Sequence, residues 1–208
     1  VIKVYSLPTE IEINGNFYPI RQGGDYRLIL QILKILNDEK LVKEDLITGQ
    51  KTVNIECIYK VIIIFFDGID DVQAVGEHFS DLSLVLEKMF EFINCGKKEQ
   101  EQNSNSPQLI DWEEDEMLIV SAVNNVARCE VRALEYLHWW TFIAYYMSVG
   151  ECSLSYVVGI RGKIAKGKKL EKHEQAFKRE NKHYFINKHK QKEDEEIRDI
   201  IMGIWNNK

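Results

Sequence analysis

Apolar positions recur along the chain at two different periods. In Thr9-Glu10-Ile11-Glu12-Ile13 they alternate, Asn14-Gly15-Asn16 tolerates positive φ, and Phe17-Tyr18-Pro19-Ile20 resumes the alternation, which predicts a β-hairpin. Pro19 has no N–H to give to a ladder, so its strand should lie at an edge. From Asp25 onward the period lengthens to that of a helix. Asp25 can cap a helix running to about Asn37, with Leu28, Ile32, Ile35 and Leu36 on one face. A short second helix is predicted over 39–47, ending before Gly49. Ile55, Ile58, Ile62 and Phe65 keep helical spacing over 55–66; the β-branched run Val61-Ile62-Ile63-Ile64 also suits a buried strand, and the helix is preferred. Ser80 or Asp81 caps the next helix, whose broad apolar face is Leu82, Val85, Leu86, Met89, Phe90 and Ile93, and Gly96 stops it.

Residues 97–108 are polar throughout and predict a mobile internal linker. Asp111, Glu113, Glu114, Asp115 and Glu116 then open a helix, where negative charge suits the positive end of the macrodipole. Trp112, Ile119, Ala122, Val123 and Val126 continue its inward face. The densest apolar stretch follows at 136–146. At helical spacing Leu137, Trp140, Ile143, Ala144 and Met147 form one stripe, and Trp139, Phe142, Tyr146 and Val149 the adjacent one. His138, Thr141, Tyr145 and Ser148 are left on a polar side. A helix apolar around most of its girth is expected at the centre of a core, with Trp139, Trp140 and Phe142 as core residues. Ser153 caps a last regular helix to Lys166, shortened by glycines at 150, 159, 162 and 167. The sum is a mainly α protein of seven to nine helices. It comprises a helical domain over 1–167 with an N-terminal β-hairpin and a charged helical C-terminal extension over 168–208.

Charge divides the chain unevenly. The net charge is −6, yet 161–192 carries twelve Lys or Arg against three Glu, so the remainder is near −15. An acidic body argues against nucleic acid as its own partner. The basic run is interleaved with Phe177, Tyr184 and Phe185, which could stack on bases. Docking onto the acidic body or a protein partner is the preferred reading of that run. Cys57, Cys95, Cys129 and Cys152 are far apart and form no CxxC pair, which predicts four reduced thiols. The longest aliphatic and aromatic run, 61–66, is too short to cross a bilayer, no leader pattern opens the chain, and a cytoplasmic location is expected.

Catalytic chemistry finds little support. Asp67, Asp70 and Asp71 beside Gly68, and the 111–116 cluster, lack the alternating spacing of a calcium loop. His138 has no nucleophile or carboxylate constellation around it. His173, His183 and His189 are not spaced for one zinc-binding helix face. Gly23-Gly24 is no phosphate loop, and no nucleophile elbow or HExxH occurs. No catalytic, cofactor-binding or metal residue is expected, and the protein is read as a non-enzyme. Candidate partner-binding residues are the polar side of the aromatic stretch, His138, Thr141 and Tyr145, and the start of the basic run, Arg161, Lys163, Lys168 and Lys169.

Several stretches together carry a family resemblance: 6–15, Phe17-Tyr18-Pro19-Ile20, Asp25-Tyr26-Arg27, 89–97, Asp111-Trp112-Glu113-Glu114-Asp115, Tyr136-Leu137-His138-Trp139-Trp140-Thr141-Phe142 and Ile160-Arg161. With these the chain resembles the gene product fifteen family of long-tailed phages infecting Gram-positive bacteria, from about Leu7 to Tyr184. It departs in having Thr141 where the family commonly has Lys, and in the charged stretch after Phe185. The resemblance implies a tail assembly chaperone in the host bacterial cytoplasm, encoded between the tail tube protein and the tape measure protein, with no catalytic residue and no cofactor. The implied partners are the tape measure protein and the tail tube protein; a homo-oligomer, a structural role in the virion and a nucleic-acid accessory role stay open.

Overall fold

The computed structural model describes residues 6–37, 42–44, 51–97 and 109–185. Most of them are helical, as the apolar spacing predicts. The described residues fall into two compact units, the first from those within 6–97 and from Tyr136–Phe142, the second from those within 109–135 and 143–185.

In the first unit, β1 (Glu10–Ile13) and β2 (Asn16–Pro19) form the expected antiparallel hairpin, with Glu10 opposite Pro19 and Ile13 opposite Asn16. Asn14 and Gly15 turn it at φ of 52° and 80°, the left-handed pair a two-residue hairpin loop requires. Pro19 ends its strand and accepts from the Asp67 N–H at 2.9 Å. Helix α1 (Tyr26–Leu36) is capped by Asp25, whose carboxylate accepts from the Arg27 N–H. It buries Tyr26, Ile29 and Ile32 and packs on α2 (Ile55–Phe65). In α2 the β-branched run is helical, with Cys57, Ile58, Val61, Ile62 and Phe65 buried and Ile55 exposed. Helix α4 (Leu82–Ile93), capped by Asp81, packs on β1 and ends where Cys95 and Gly96 turn left-handed at φ of 57° and 78°.

Two features of this unit depart from expectation. The predicted helix over 39–47 contains strand β3 (Val42–Glu44) instead, antiparallel to β4 (Lys51–Val53). A nine-residue helix is too short to outlast competition from a ladder, and Thr52-Val53 supplies β-branched residues. The remainder of 39–47 lies outside the described residues. Helix α3 (Val72–His78) went unexpected: Asp71, read only as part of an acidic cluster, caps it by accepting from the Ala74 N–H at 2.8 Å. Arg21 answers the other two acids, at 2.7 Å from Asp70 and 3.9 Å from Asp67.

In the second unit, α5 (Glu116–Ala127) buries Leu118, Ile119, Val120, Ala122 and Val123 and packs on α7 (Ser153–Ala165). Cys152, one residue before the predicted cap, precedes α7 and donates its N–H to the Ser155 hydroxyl at 2.9 Å. The glycines do not shorten α7. Gly159 and Gly162 lie inside it, the latter with Leu109 in van der Waals range of where a Cβ would stand. Helix α8 (Lys172–Glu180) follows, so the start of the predicted extension, 168–185, is ordered with α5 and α7. Residues 98–108, which hold nearly all of the predicted linker, and 186–208, the rest of the extension, lie outside the described residues.

Helix α6 (Trp139–Met147) gives its first turn to the first unit and the rest to the second. Its apolar girth is not uniformly buried. Trp139 and Phe142 are interior, while Trp140 and Ile143 are half-buried, Ala144 is exposed and Met147 is 73% exposed. Leu137 and His138 precede the helix, so the stripes read through them belong to extended chain.

Candidate functional site

The aromatic signature is built around backbone groups that helix ends leave without partners. Residues 136–139 run antiparallel to 24–26. The Tyr26 N–H donates to the Leu137 carbonyl at 2.9 Å and the Trp139 N–H to the Gly24 carbonyl at 2.8 Å. Asp25 serves both segments: one carboxylate oxygen accepts from the Arg27 N–H at 2.9 Å, the other from the Leu137 N–H at 3.0 Å, and the Arg27 guanidinium pairs with it at 3.0 Å. This carboxylate is buried, and its three donors offset the cost of removing it from water.

His138 is 2% exposed, which corrects the expectation of a polar helix surface there. Its Nδ1 lies 3.0 Å from the Trp140 N–H, and its Nε2 lies 3.0 Å from the Pro8 carbonyl oxygen. Because a backbone N–H can only donate, Nδ1 accepts and Nε2 carries the proton that Pro8 receives. The ring thus caps α6 and ties it to a residue far back in the sequence. Burial pushes its pKa below the ordinary histidine value, opposed by the hydrogen bond to Pro8. Both nitrogens are occupied, so the ring has none left to act as a general base.

The paired tryptophans have a second task. Trp139 Nε1 donates to the Ile93 carbonyl at 2.8 Å and Trp140 Nε1 to the Phe92 carbonyl at 2.8 Å. Two consecutive indoles therefore satisfy two consecutive carbonyls in the last turn of α4. Their rings also pack: Trp139 stacks on Phe142, which stacks on Tyr26 at 4.5 Å and 11°. Gly24 is required by proximity, since a Cβ there would stand 2.7 Å from Phe92 Cζ at a φ of +82°.

In the second unit Arg161 organises a comparable centre. Its guanidinium meets Asp115 with Nη1–Oδ2 at 2.6 Å and Nη2–Oδ1 at 2.9 Å, and donates to the carbonyls of Leu109 at 2.9 Å and Tyr184 at 2.6 Å. Asp115 is 1% exposed and also accepts from the Asp111 N–H at 3.0 Å. The solvated reading of the 111–116 cluster thus holds for Glu113, Glu114 and Glu116, which are exposed, and fails for Asp115. Lys163 bonds Glu174 at 2.6 Å. That bond, then the Glu171 N–H, lowers the Glu174 pKa, and the same contact raises that of Lys163.

The candidate partner-binding residues accordingly fall into two groups. His138, Arg161 and Lys163 are committed to internal bonds. Thr141 and Tyr145 are half-buried, while Lys168 and Lys169 are exposed. Among the described residues, no group of three or more His, Cys, Asp or Glu could hold a metal ion, and no helix is long and apolar enough to cross a membrane. Sequence spacing missed Asp25 as the link to Leu137 and Asp115 as the partner of Arg161. The only available signal was that both pairs fall inside the stretches that carry the family resemblance.

A mainly helical protein whose most distinctive side chains hold backbone carbonyls and amides is defined by its scaffold. The family model described as Bacteriophage Gp15 protein matches residues 4–186, and the chain belongs to that family. It is thus a bacteriophage protein, of a family that is not a known enzyme family. No curated protein and no solved structure matches the chain.

Proposed function

We propose that the chain is a tail assembly chaperone that transiently covers the tape measure protein while the tail is built. The family match over residues 4–186 carries this reading. By the resemblance noted above, that family's genes are expected between those for the tail tube and the tape measure. A tape measure is a very long helical chain, and its apolar stripes would associate before the tube closes around them. A helical protein that keeps Met117 and Met147 exposed, at 68% and 73%, offers flexible thioether side chains suited to varied apolar partners.

Co-expression with the tape measure protein tests the reading. The expected result is a soluble complex that is absent from finished tails. Equal insolubility with and without this chain, together with stoichiometric presence in purified virions, would replace the chaperone reading with that of a structural tail component.

A further inference from the structure

The end of the second unit presents an open groove of about 650 Å³ lined by Leu170, Gln175, Lys178, Arg179, Lys182 and Phe185. Its floor is apolar and braced. Phe185 meets Phe177 edge-on at 6.3 Å, and Phe177 meets Tyr156 edge-on at 4.9 Å. At the other end Gln175 Nε2 donates to the Leu170 carbonyl at 2.8 Å, and Glu174 accepts from the Glu171 N–H at 2.9 Å. The rim is cationic. Arg161 and Lys163 are matched by Asp115 and Glu174, whereas Lys178, Arg179 and Lys182 make no ion pair among the described residues. Three unmatched cations around an apolar floor call for a ligand bearing both carboxylates and aliphatic side chains.

The geometry points to a docking groove for an amphipathic helix of a partner protein, its apolar stripe seated on Leu170 and Phe185 and its flanking Asp or Glu side chains facing Lys178, Arg179 and Lys182. The volume lies within the range of ligand clefts and admits two or three aliphatic side chains from one helix face. A polynucleotide fits less well. The chain as a whole carries −6, which opposes a long polyanion, and the half-buried rings meet one another edge-on instead of offering open faces to bases. A small anion alone would leave the apolar floor unused. The proposal rests on the client-covering reading only in making the occupant another chain, and it is tested without any tape measure protein.

Two fluorescent peptides of about 16 residues, long enough to form a helix on binding, serve as probes. Both carry Leu at i, i+3, i+4 and i+7; one is flanked by Glu, the other by Lys. Fluorescence anisotropy with the full chain should show the Glu-flanked peptide binding at least tenfold more tightly. In Lys178→Glu/Arg179→Glu/Lys182→Glu the preference should reverse, with far-UV circular dichroism confirming that the helices are retained, since these side chains make no ion pair among the described residues. Phe185→Ala should weaken both peptides. Equal affinity for the two peptides, or a preference that survives charge reversal, would overturn the proposal. So would displacement of the bound peptide by a single-stranded oligonucleotide, which would mark a polyanion site. Carbodiimide coupling of Lys178 or Lys182 to Glu193, Asp194, Glu195 or Glu196 of the same chain, with no peptide bound, would show the groove to be self-occupied and overturn it as well. Co-expression solubility can succeed or fail independently of these outcomes, so the two readings are tested apart.

Discussion

Replacing Arg161 with Met should be among the most damaging single changes in the second unit. The substitution keeps much of the aliphatic length and removes five donor contacts, two to Asp115, one to the carbonyl of Leu109 and two to that of Tyr184. It leaves a carboxylate that is 1% exposed with the Asp111 N–H as its remaining backbone donor. Breaking one side of a buried pair costs about 3–5 kcal/mol, because the surviving charge is uncompensated. Against a typical net stability of about 5–15 kcal/mol that is a large fraction. With a urea dependence of about 2–3 kcal/mol per molar, the unfolding midpoint should fall by about 1–2.5 M. Far-UV circular dichroism during urea titration measures it. The double variant Arg161→Met/Asp115→Leu should regain part of the loss, since no buried charge remains, though the two carbonyls still lack a donor. An unchanged midpoint in the single variant, or a double variant no more stable than the single, would refute the account of Arg161 as the tie between residues 109, 115 and 184.

Other perturbations address the first unit. Gly24→Ala should destabilise by about 2–4 kcal/mol, combining left-handed strain with a clash against Phe92, whereas Gly15→Ala meets no atom within 4 Å and should cost only about 1 kcal/mol; thermal melts of the two variants test the contrast. Trp140→Ala should cost about 3 kcal/mol, the low end for tryptophan truncation because the ring is half-buried, and Trp140→Phe about 1 kcal/mol for the lost bond to Phe92. Similar losses in the two variants would mean that the N–H outweighs the ring. His138 gives a pH signature: its folded pKa is depressed by burial, so the unfolded chain takes up the proton first. Its contribution should be complete above about pH 6.5 and decline as pH falls below that unfolded value. Urea midpoints at pH 7.5 and 5.5 should differ in the natural chain and converge in His138→Asn, whose amide oxygen can still accept from the Trp140 N–H.

The hairpin, the Asp25 and Asp81 caps and the course of α2 were readable in the sequence because each rests on local rules. Turn residues, side-chain oxygens two or three positions from an orphan amide, and apolar spacing all act within a few residues. What spacing could not reveal was direction and partner. It placed His138 on a polar helix face, but the helix starts one residue later and the ring faces Pro8, 130 positions back. It counted Trp139 and Trp140 as apolar area and was silent on two indole N–H groups aimed at carbonyls 46 and 48 positions away. Helix α3 escaped notice because it has seven residues, of which Val75 is buried, too little for a period to register. The penalty expected from Gly159 and Gly162 was outweighed in α7 by the burial of Leu154, Val157 and Ile160.

The indole caps on α4 bear on the order in which the chain can fold as it is made. Helix α4 is complete at Ile93, and Phe92 accepts locally from the Cys95 N–H at 2.9 Å, yet the donor to the Ile93 carbonyl and the second donor to that of Phe92 arrive only with Trp139 and Trp140. Synthesis at roughly 5–20 residues per second leaves the first hundred residues waiting on the order of 2–8 s for the stretch that finishes them. During that interval the carbonyl of Ile93 has only water to turn to, and the space for the Trp139 ring stands open. The first unit is therefore a structure that cannot close vectorially. A nascent chain halted between residues 102 and 136 holds every described strand and helix of that unit except the turn that locks them.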